Sequence, residues 1–128
     1  MKNQNLSILN YLKFDNVLNC AKELEELAKA NSNKKRKKLV KLAEDCVIDA
    51  ISEIALNCLN GNVPLSEIDF NKLSKYQNLL RKLTKISSVK KRRNIISQTG
   101  GFLNLLIPPA LSLIASVVGG YLSKRLSK

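Results

Sequence analysis

The chain contains no histidine and no tryptophan, and only three prolines, five glycines and three cysteines among its 128 residues. The absence of histidine removes the commonest general base and excludes His-dependent catalytic triads and Cys-His zinc fingers. The scarcity of proline and glycine argues against an all-β fold, which needs many turns. Because no nucleophile has a histidine partner, the sequence predicts a protein that is not an enzyme, with no catalytic residues and no cofactor or metal.

The second half of the chain lacks acidic residues altogether. Residues 70–128 include twelve basic residues and no acid, whereas residues 1–69 carry ten of each sign. The whole net charge of +12 therefore comes from the second half. A charge imbalance of this size indicates polyanionic partners, either nucleic acid or an anionic membrane.

The three cysteines, Cys20, Cys46 and Cys58, are odd in number and show no C-x-x-C spacing. Each falls at an apolar position of a helical pattern. We therefore interpret them as small buried hydrophobic residues of a protein in a reducing compartment.

Apolar residues recur at steps of three and four, which predicts an all-α fold. Capping and breaking residues divide the pattern into four helices: one that ends near Phe14, one capped by Asp15 or Asn16, a long one from Ser32 or Asn33 to Gly61, and one from Ser66 to about Ile86. We expect a small antiparallel helical bundle over residues 1–88, followed by a basic linker over 89–101 that ends in Gly-Gly. An apolar helical tail with a basic end covers 102–128. The core is small enough that a homo-oligomer or a partner would help to complete it.

The tail includes an uncharged stretch of 21 residues, 102–122, between basic residues. As one helix it would be about 32 Å long, close to the hydrocarbon thickness of a bilayer. The pair Pro108-Pro109 predicts that the helix begins only there. The tail is either membrane-active, or a hairpin buried in a larger assembly, or a segment that packs on its own bundle. Its expected membrane or packing face consists of Leu103, Leu106, Ile107, Leu111, Ser112, Ile114, Ser116 and Gly120.

Nine cations fall within 22 residues in the second half, with a single aromatic residue among them. The segment therefore offers no set of aromatic side chains for base stacking and no recognisable motif for sequence-specific contacts. Electrostatic binding of DNA phosphates remains. Anionic lipid headgroups could bind the same cations. The predicted nucleic-acid-binding residues are Lys72, Lys75, Arg81, Lys82, Lys85, Lys90, Lys91, Arg92 and Arg93.

A further run of five cations opens the long third helix: Lys34, Lys35, Arg36, Lys37 and Lys38. Its position opposes the helix dipole, so local helix stability does not explain it. It is a solvated charged run, a nuclear-import signal or a phosphate-binding patch.

Two stretches resemble a known family. LNCLNGNVPLS (56–66) and KKRRNIISQTGGFLNLLIPPALSLIASVVGG (90–120) resemble small basic proteins of Polinton/Maverick elements and the related adintoviruses. The second stretch is also similar to the C-terminal part of adenovirus core precursor X, the precursor of mu. The order of a basic run, Gly-Gly and an apolar tail with proline carries the resemblance, which covers residues 44–122.

The resemblance implies a virion core or minor capsid protein of a double-stranded DNA virus or virus-like element, found in the virion and the host nucleus. It also implies cleavage by a viral cysteine protease after Gly-Gly, here Gly100-Gly101 before Phe102. The expected partners are double-stranded DNA, bound without sequence preference, and a capsid protein or anionic membrane, contacted by the tail. The alternative is a basic protein that acts on or is anchored in the host membrane and has no nucleic-acid role.

Overall fold

The computed structural model describes the backbone of residues 15–126 and the side chains of residues 16–113 and 115. This part of the chain is helical and has no strand, which confirms the predicted all-α class. The helix expected to end near Phe14 lies outside the described residues. The elements are α1 (Asp15–Asn19), α2 (Ala21–Lys29), α3 (Asn33–Leu42), α4 (Asp45–Leu59), α5 (Glu67–Ser74), α6 (Gln77–Lys85), α7 (Val89–Thr99), a 3-10 turn (Gly100–Phe102) and α8 (Leu103–Leu126).

Helix α4 lies at the centre of the bundle and packs against α1, α6, α7 and α8. Its sequence explains this position, because apolar residues cover most of its circumference rather than one stripe. The buried side chains of α4 are Val47, Ile48, Ala50, Ile51, Ile54, Ala55 and Asn57. Of the helices that do not pack on α4, α2 and α5 pack against α8, and α3 packs against α7.

Three serines act as N-caps of helices. The Oγ atoms of Ser32, Ser66 and Ser88 each accept a hydrogen bond from the backbone N–H three residues later, at 3.1–3.3 Å. At the other end of the central helix, Gly61 follows α4 with φ +73°, the left-handed conformation that glycine adopts most easily. The helix starts at residues 32–33 and 66 and the stop at Gly61 therefore agree with the prediction.

The long third helix is divided into two helices. The backbone is extended at Ala43 and Glu44, so that α3 ends at Leu42 and α4 begins at Asp45. The break leaves Leu42 74% exposed, although Leu42 belongs to the apolar pattern of three- and four-residue steps, which predicts burial. The side chain of Arg93 lies in the break and donates hydrogen bonds to the carbonyl oxygens of Val40 and Ala43. The donor comes from a helix fifty residues away, so periodicity could not reveal it.

The fourth predicted helix is also divided, into α5 and α6, at Lys75 and Tyr76. The apolar stripe of this segment predicts that Leu73, Leu80 and Leu83 face inward, and all three are buried. The ring of Tyr76 packs against that of Phe102, with the centroids 5.9 Å apart. The break therefore turns Tyr76 towards the start of the tail.

Residues 89–101, expected to form a basic linker, instead form α7 and part of a 3-10 turn. Helix α8 begins at Leu103 and contains Pro108 and Pro109, rather than beginning after them. The prolines remove two backbone donors from the helix. The burial of an apolar face offsets this loss, because α8 packs on α2 and α4 through its buried residues Leu103, Leu106, Ile107 and Ala110. The start of the predicted tail is therefore part of the bundle core.

Candidate nucleic-acid interface

The basic run at the start of α3 has two faces. Lys34, Lys35, Lys37 and Lys38 are exposed, whereas Arg36 is only 8% exposed. The Nη1 atom of Arg36 donates to the carbonyl oxygen of Ala30 at 2.8 Å, and Nη2 donates to Oδ1 of Asn33. The arginine thus ties the α2–α3 connection together, and the four lysines remain at the surface.

The second basic run, in the first turn of α7, is divided in the same way. Lys90 and Lys91 are exposed. The Nη2 atom of Arg92 lies 3.0 Å from Oδ1 of Asp49, and its Nη1 atom donates to Oγ of Ser52 at 3.0 Å. These contacts attach α7 to α4.

Arg93, the next residue, attaches α7 to the end of α3 and the start of α4. Nη1 of Arg93 donates to the carbonyl oxygen of Val40 at 2.8 Å, and Nη2 lies 2.7 Å from Oδ1 of Asp45. Arg92 and Arg93 were both predicted to bind nucleic acid, but the structure places their guanidinium groups in contacts within the bundle. A bidentate or forked guanidinium suits this role better than an ammonium group.

Helices α3 and α7 pack against each other in antiparallel directions. Arg93, near the start of α7, reaches the end of α3, and residues 97–99 at the end of α7 share a cleft with the start of α3. Neither helix contains an acidic residue. Together they present seven exposed lysines, which we call the α3–α7 lysine face: Lys34, Lys35, Lys37, Lys38, Lys41, Lys90 and Lys91.

Counter-ions for this face are scarce within the protein. Ion pairs between described residues engage Arg92, Arg93 and, on α2, Lys29 with Glu25. In the described part of the chain, no ion pair involves a lysine of the α3–α7 lysine face. Seven ammonium groups without an ion pair to any described residue produce a positive potential that attracts a polyanion.

A cleft of about 600 Å³ lies at one end of this face. Two of its walls are the first turn of α3, with Lys34 and Lys37, and the end of α7 with the glycines that follow it. Tyr76 closes a third side. Its polar lining can donate hydrogen bonds to anionic oxygens, and its full set of residues is Asn33, Lys34, Lys37, Tyr76, Ser97, Gln98, Thr99, Gly100 and Gly101.

The remaining cations predicted to bind nucleic acid lie on or next to α5 and α6. They are all exposed, and α6 packs on α4 rather than on α3: Lys72, Lys75, Arg81, Lys82 and Lys85. Lys75 directly precedes Tyr76 and so lies next to the cleft in the chain. In sequence these cations group with those of residues 90–93, whereas the run at 34–38 is a separate feature.

The proposed cleavage site is folded. Two adjacent glycines favour a flexible, extended segment that a protease can reach. In the structure, Gly100, Gly101 and Phe102 instead form a 3-10 turn between α7 and α8. Phe102 is fully buried and packs on Tyr76. A protease would have to open this turn before it reached the bond between Gly101 and Phe102.

The expected membrane or packing face of the tail is also largely occupied. Leu103, Leu106 and Ile107 are buried in the core of this chain, Leu111 is half-buried and Ser112 is exposed. The side chains of Ile114, Ser116 and Gly120 lie outside the described residues. Of the three alternatives for the tail, packing on its own bundle is the one observed for residues 102–111.

The described part of the chain contains neither a membrane-spanning helix nor a metal-binding cluster. No helix in this part of the chain is long and apolar enough to cross a membrane. No group of three or more His, Cys, Asp or Glu side chains among the described residues is arranged to hold a metal ion.

The sequence missed Lys41 and Tyr76 as members of the site. Lys41 lies one helical turn after the run at 34–38, in a segment with no acidic residue. Helical periodicity alone could therefore have placed it on the same face as that run. Tyr76 gave no such signal, because its place in the cleft depends on the break between α5 and α6.

Comparison of the chain with protein-family models, curated proteins and solved structures finds no match.

Proposed function

We propose that the protein is a non-enzymatic DNA-binding protein that holds DNA phosphates on its α3–α7 lysine face, without reading sequence. The observation that carries this proposal is the packing of two acid-free helices side by side, with their lysines exposed and their arginines turned inward. The arginines fix the two helices in place, so the lysines occupy a defined surface rather than a flexible linker.

The shape and chemistry of the face favour phosphate binding over base recognition. Lysine is a flexible point charge, whereas the arginines of α3 and α7, the kind of side chain that commonly contacts guanine edges, are engaged within the bundle. The face carries no exposed aromatic residue on which bases could stack. The cleft beside Lys34 and Lys37 would hold one phosphate of the backbone more closely than the rest of the face.

The setting that fits this activity is the core of a virus-like particle. The similarity of residues 44–122 to Polinton/Maverick and adintovirus proteins and to adenovirus core precursor X supports it, together with the positive charge. In this setting the protein would neutralise packaged DNA in the virion and the host nucleus, and the end of α8 would contact a capsid protein or a membrane.

Alanine substitution in the lysine face tests the proposal. We expect Lys37→Ala combined with Lys90→Ala to weaken binding of a fluorescently labelled random-sequence duplex about tenfold at low salt, measured by anisotropy. The charge-matched control is Lys22→Ala with Lys29→Ala, because these lysines lie on α2 among Glu23, Glu25 and Glu26. The control should bind as the unmodified chain does.

The same experiment can contradict the proposal. Equal weakening by the two double variants would show that net charge, not the α3–α7 lysine face, attracts DNA. No binding of DNA but binding of anionic vesicles would favour a membrane role instead.

A further inference from the structure

Two of the three cysteines meet in the core. The Sγ atoms of Cys20 and Cys46 lie 2.6 Å apart, although both residues are free thiols. Non-bonded atoms that merely pack lie about 3.5–4.0 Å apart, and a disulfide bond is about 2.05 Å long. Cys20 lies between α1 and α2, and Cys46 lies in the first turn of α4. The sequence pattern predicted two separate core residues and gave no sign of this contact.

The contact belongs to a fixed junction between α1 and α4. One turn before Cys20, the carboxylate of Glu53 accepts hydrogen bonds from the backbone N–H groups of Asn16 and Val17 at 3.1 and 3.2 Å, and from Nδ2 of Asn16 at 3.1 Å. Glu53 lies two turns after Cys46 on α4, so α1 runs antiparallel to α4. These bonds hold the two backbones in register and keep the thiols facing each other.

The two thiols differ in their access to solvent. Cys20 is 2% exposed, whereas Cys46 is partly exposed. Cys58 lies at the far end of α4, three turns from Cys46, and burial raises the pKa of its thiol to about 11. A reagent in solution therefore reaches Cys46 first and finds Cys58 less reactive.

We propose that Cys20 and Cys46 are a thiol–disulfide exchange site, which forms an intramolecular disulfide by reaction with a small-molecule disulfide such as oxidised glutathione. In the first step the Cys46 thiolate attacks one sulfur of oxidised glutathione, and one glutathione leaves as a thiolate that takes up a proton. In the second step Cys20 loses its proton, attacks Sγ of Cys46 and releases the second glutathione. The two cysteines lose two electrons, and oxidised glutathione is reduced to two thiols.

The second step is the slower one. In the reduced protein, burial, the contact with the Cys46 thiol and the negative charges of Glu23 and Glu44 raise the pKa of Cys20 to about 12. Once Cys46 carries glutathione, burial and the two carboxylates still raise the pKa of Cys20. The reactive thiolate of Cys20 is therefore scarce at neutral pH. The mixed disulfide on Cys46 is an intermediate that should be detectable at early times.

Oxidation of the full-length chain with oxidised glutathione tests the site. We expect the intact mass to fall by that of two hydrogen atoms, and thiol titration to find one remaining thiol, which peptide mapping assigns to Cys58. The bond would link α1–α2 to α4, so we expect the oxidised protein to melt roughly 10 °C above the reduced protein. Dithiothreitol should reverse the change.

Three alanine variants separate the role of Cys46, which attacks glutathione, from that of Cys20, which attacks the mixed disulfide. Cys20→Ala should keep one glutathione on Cys46, because the attacking thiol is missing. Cys46→Ala should form neither a disulfide nor a stable adduct at Cys20. The matched control Cys58→Ala should still lose two hydrogen atoms on oxidation.

Other products would overturn the proposal. A glutathione adduct that persists in the unmodified chain, or a disulfide that includes Cys58, would show that Cys20 and Cys46 do not exchange as proposed. If Cys20→Ala fails to fold by circular dichroism, the peptide map of the unmodified chain decides the question by itself.

Discussion

In α3 and α7 the two types of basic side chain have different tasks, and the division follows from their chemistry. Arg36, Arg92 and Arg93 satisfy backbone carbonyls, carboxylates or a hydroxyl within the bundle. The lysines of the α3–α7 lysine face remain in water. A planar guanidinium has five N–H donors at fixed angles on three nitrogens, so it can bond two helix ends at once in a defined geometry, whereas the three donors of an ammonium group share one nitrogen. Basic runs that look uniform in sequence are therefore divided into structural and surface residues.

Replacement of Arg93 tests this division. Arg93→Ala should lower the free energy of unfolding by about 2 kcal/mol, because three hydrogen bonds of the guanidinium are lost, to the carbonyl oxygens of Val40 and Ala43 and to the carboxylate of Asp45. Urea unfolding followed by circular dichroism measures the change. Lys90→Ala, at an exposed position of the same helix, should change stability by less than about 0.5 kcal/mol. Equal effects of the two variants would refute the structural role of Arg93.

At the scale of the helices, their ends were easier to predict than their breaks. Ser32, Ser66 and Gly61 mark ends through their own chemistry, and the structure uses all three as expected. The breaks at residues 43–44 and 75–76 have no such local signal. They depend on Arg93 and Phe102, which are distant in sequence, so one sequence read locally could not place them.

The stop at Gly61 leads to a prediction for a backbone position. Gly61→Ala should destabilise the protein by about 1 kcal/mol, because a side chain is strained at φ +73° even though no atom lies within 4 Å of the new Cβ. Gly101→Ala is the matched control, since its Cβ would meet only the Tyr76 hydroxyl, at 3.9 Å. Thermal melting of both variants gives the comparison. A stable Gly61→Ala and an unstable Gly101→Ala would contradict the assignment of the two turns.

At the scale of the whole molecule, the sequence predicted the helical class, but it did not reveal that the start of the expected tail packs into the core. The apolar stretch after Gly101 suggested a separate tail, because an uncharged run beside prolines is typical of membrane segments. Its first residues instead supply Phe102, Leu103 and Ile107 to the core. Composition cannot distinguish apolar residues that face lipid from those that face the same chain.

Two truncations test whether the start of the apolar stretch after Gly101 belongs to the folded core. Removal of residues 102–128 should unfold the protein, because five fully buried side chains leave the core: Phe102, Leu103, Leu106, Ile107 and Ala110. Removal of residues 116–128 retains every buried residue among those described and should preserve the helical circular dichroism signal and a cooperative melt. A cooperative fold in the shorter chain, residues 1–101, would restore the original division into bundle and independent tail.

The salt dependence of DNA binding tests the central claim most directly. If six or seven lysines of the α3–α7 lysine face contact phosphates, a plot of the logarithm of the association constant against the logarithm of salt concentration should have a slope of about −5 to −6. Replacement of Lys37 and Lys90 by alanine should reduce its magnitude by about 2, and two duplexes of different sequence should give the same line. A slope near zero, or a strong preference for one duplex, would contradict electrostatic binding of DNA phosphates by this face.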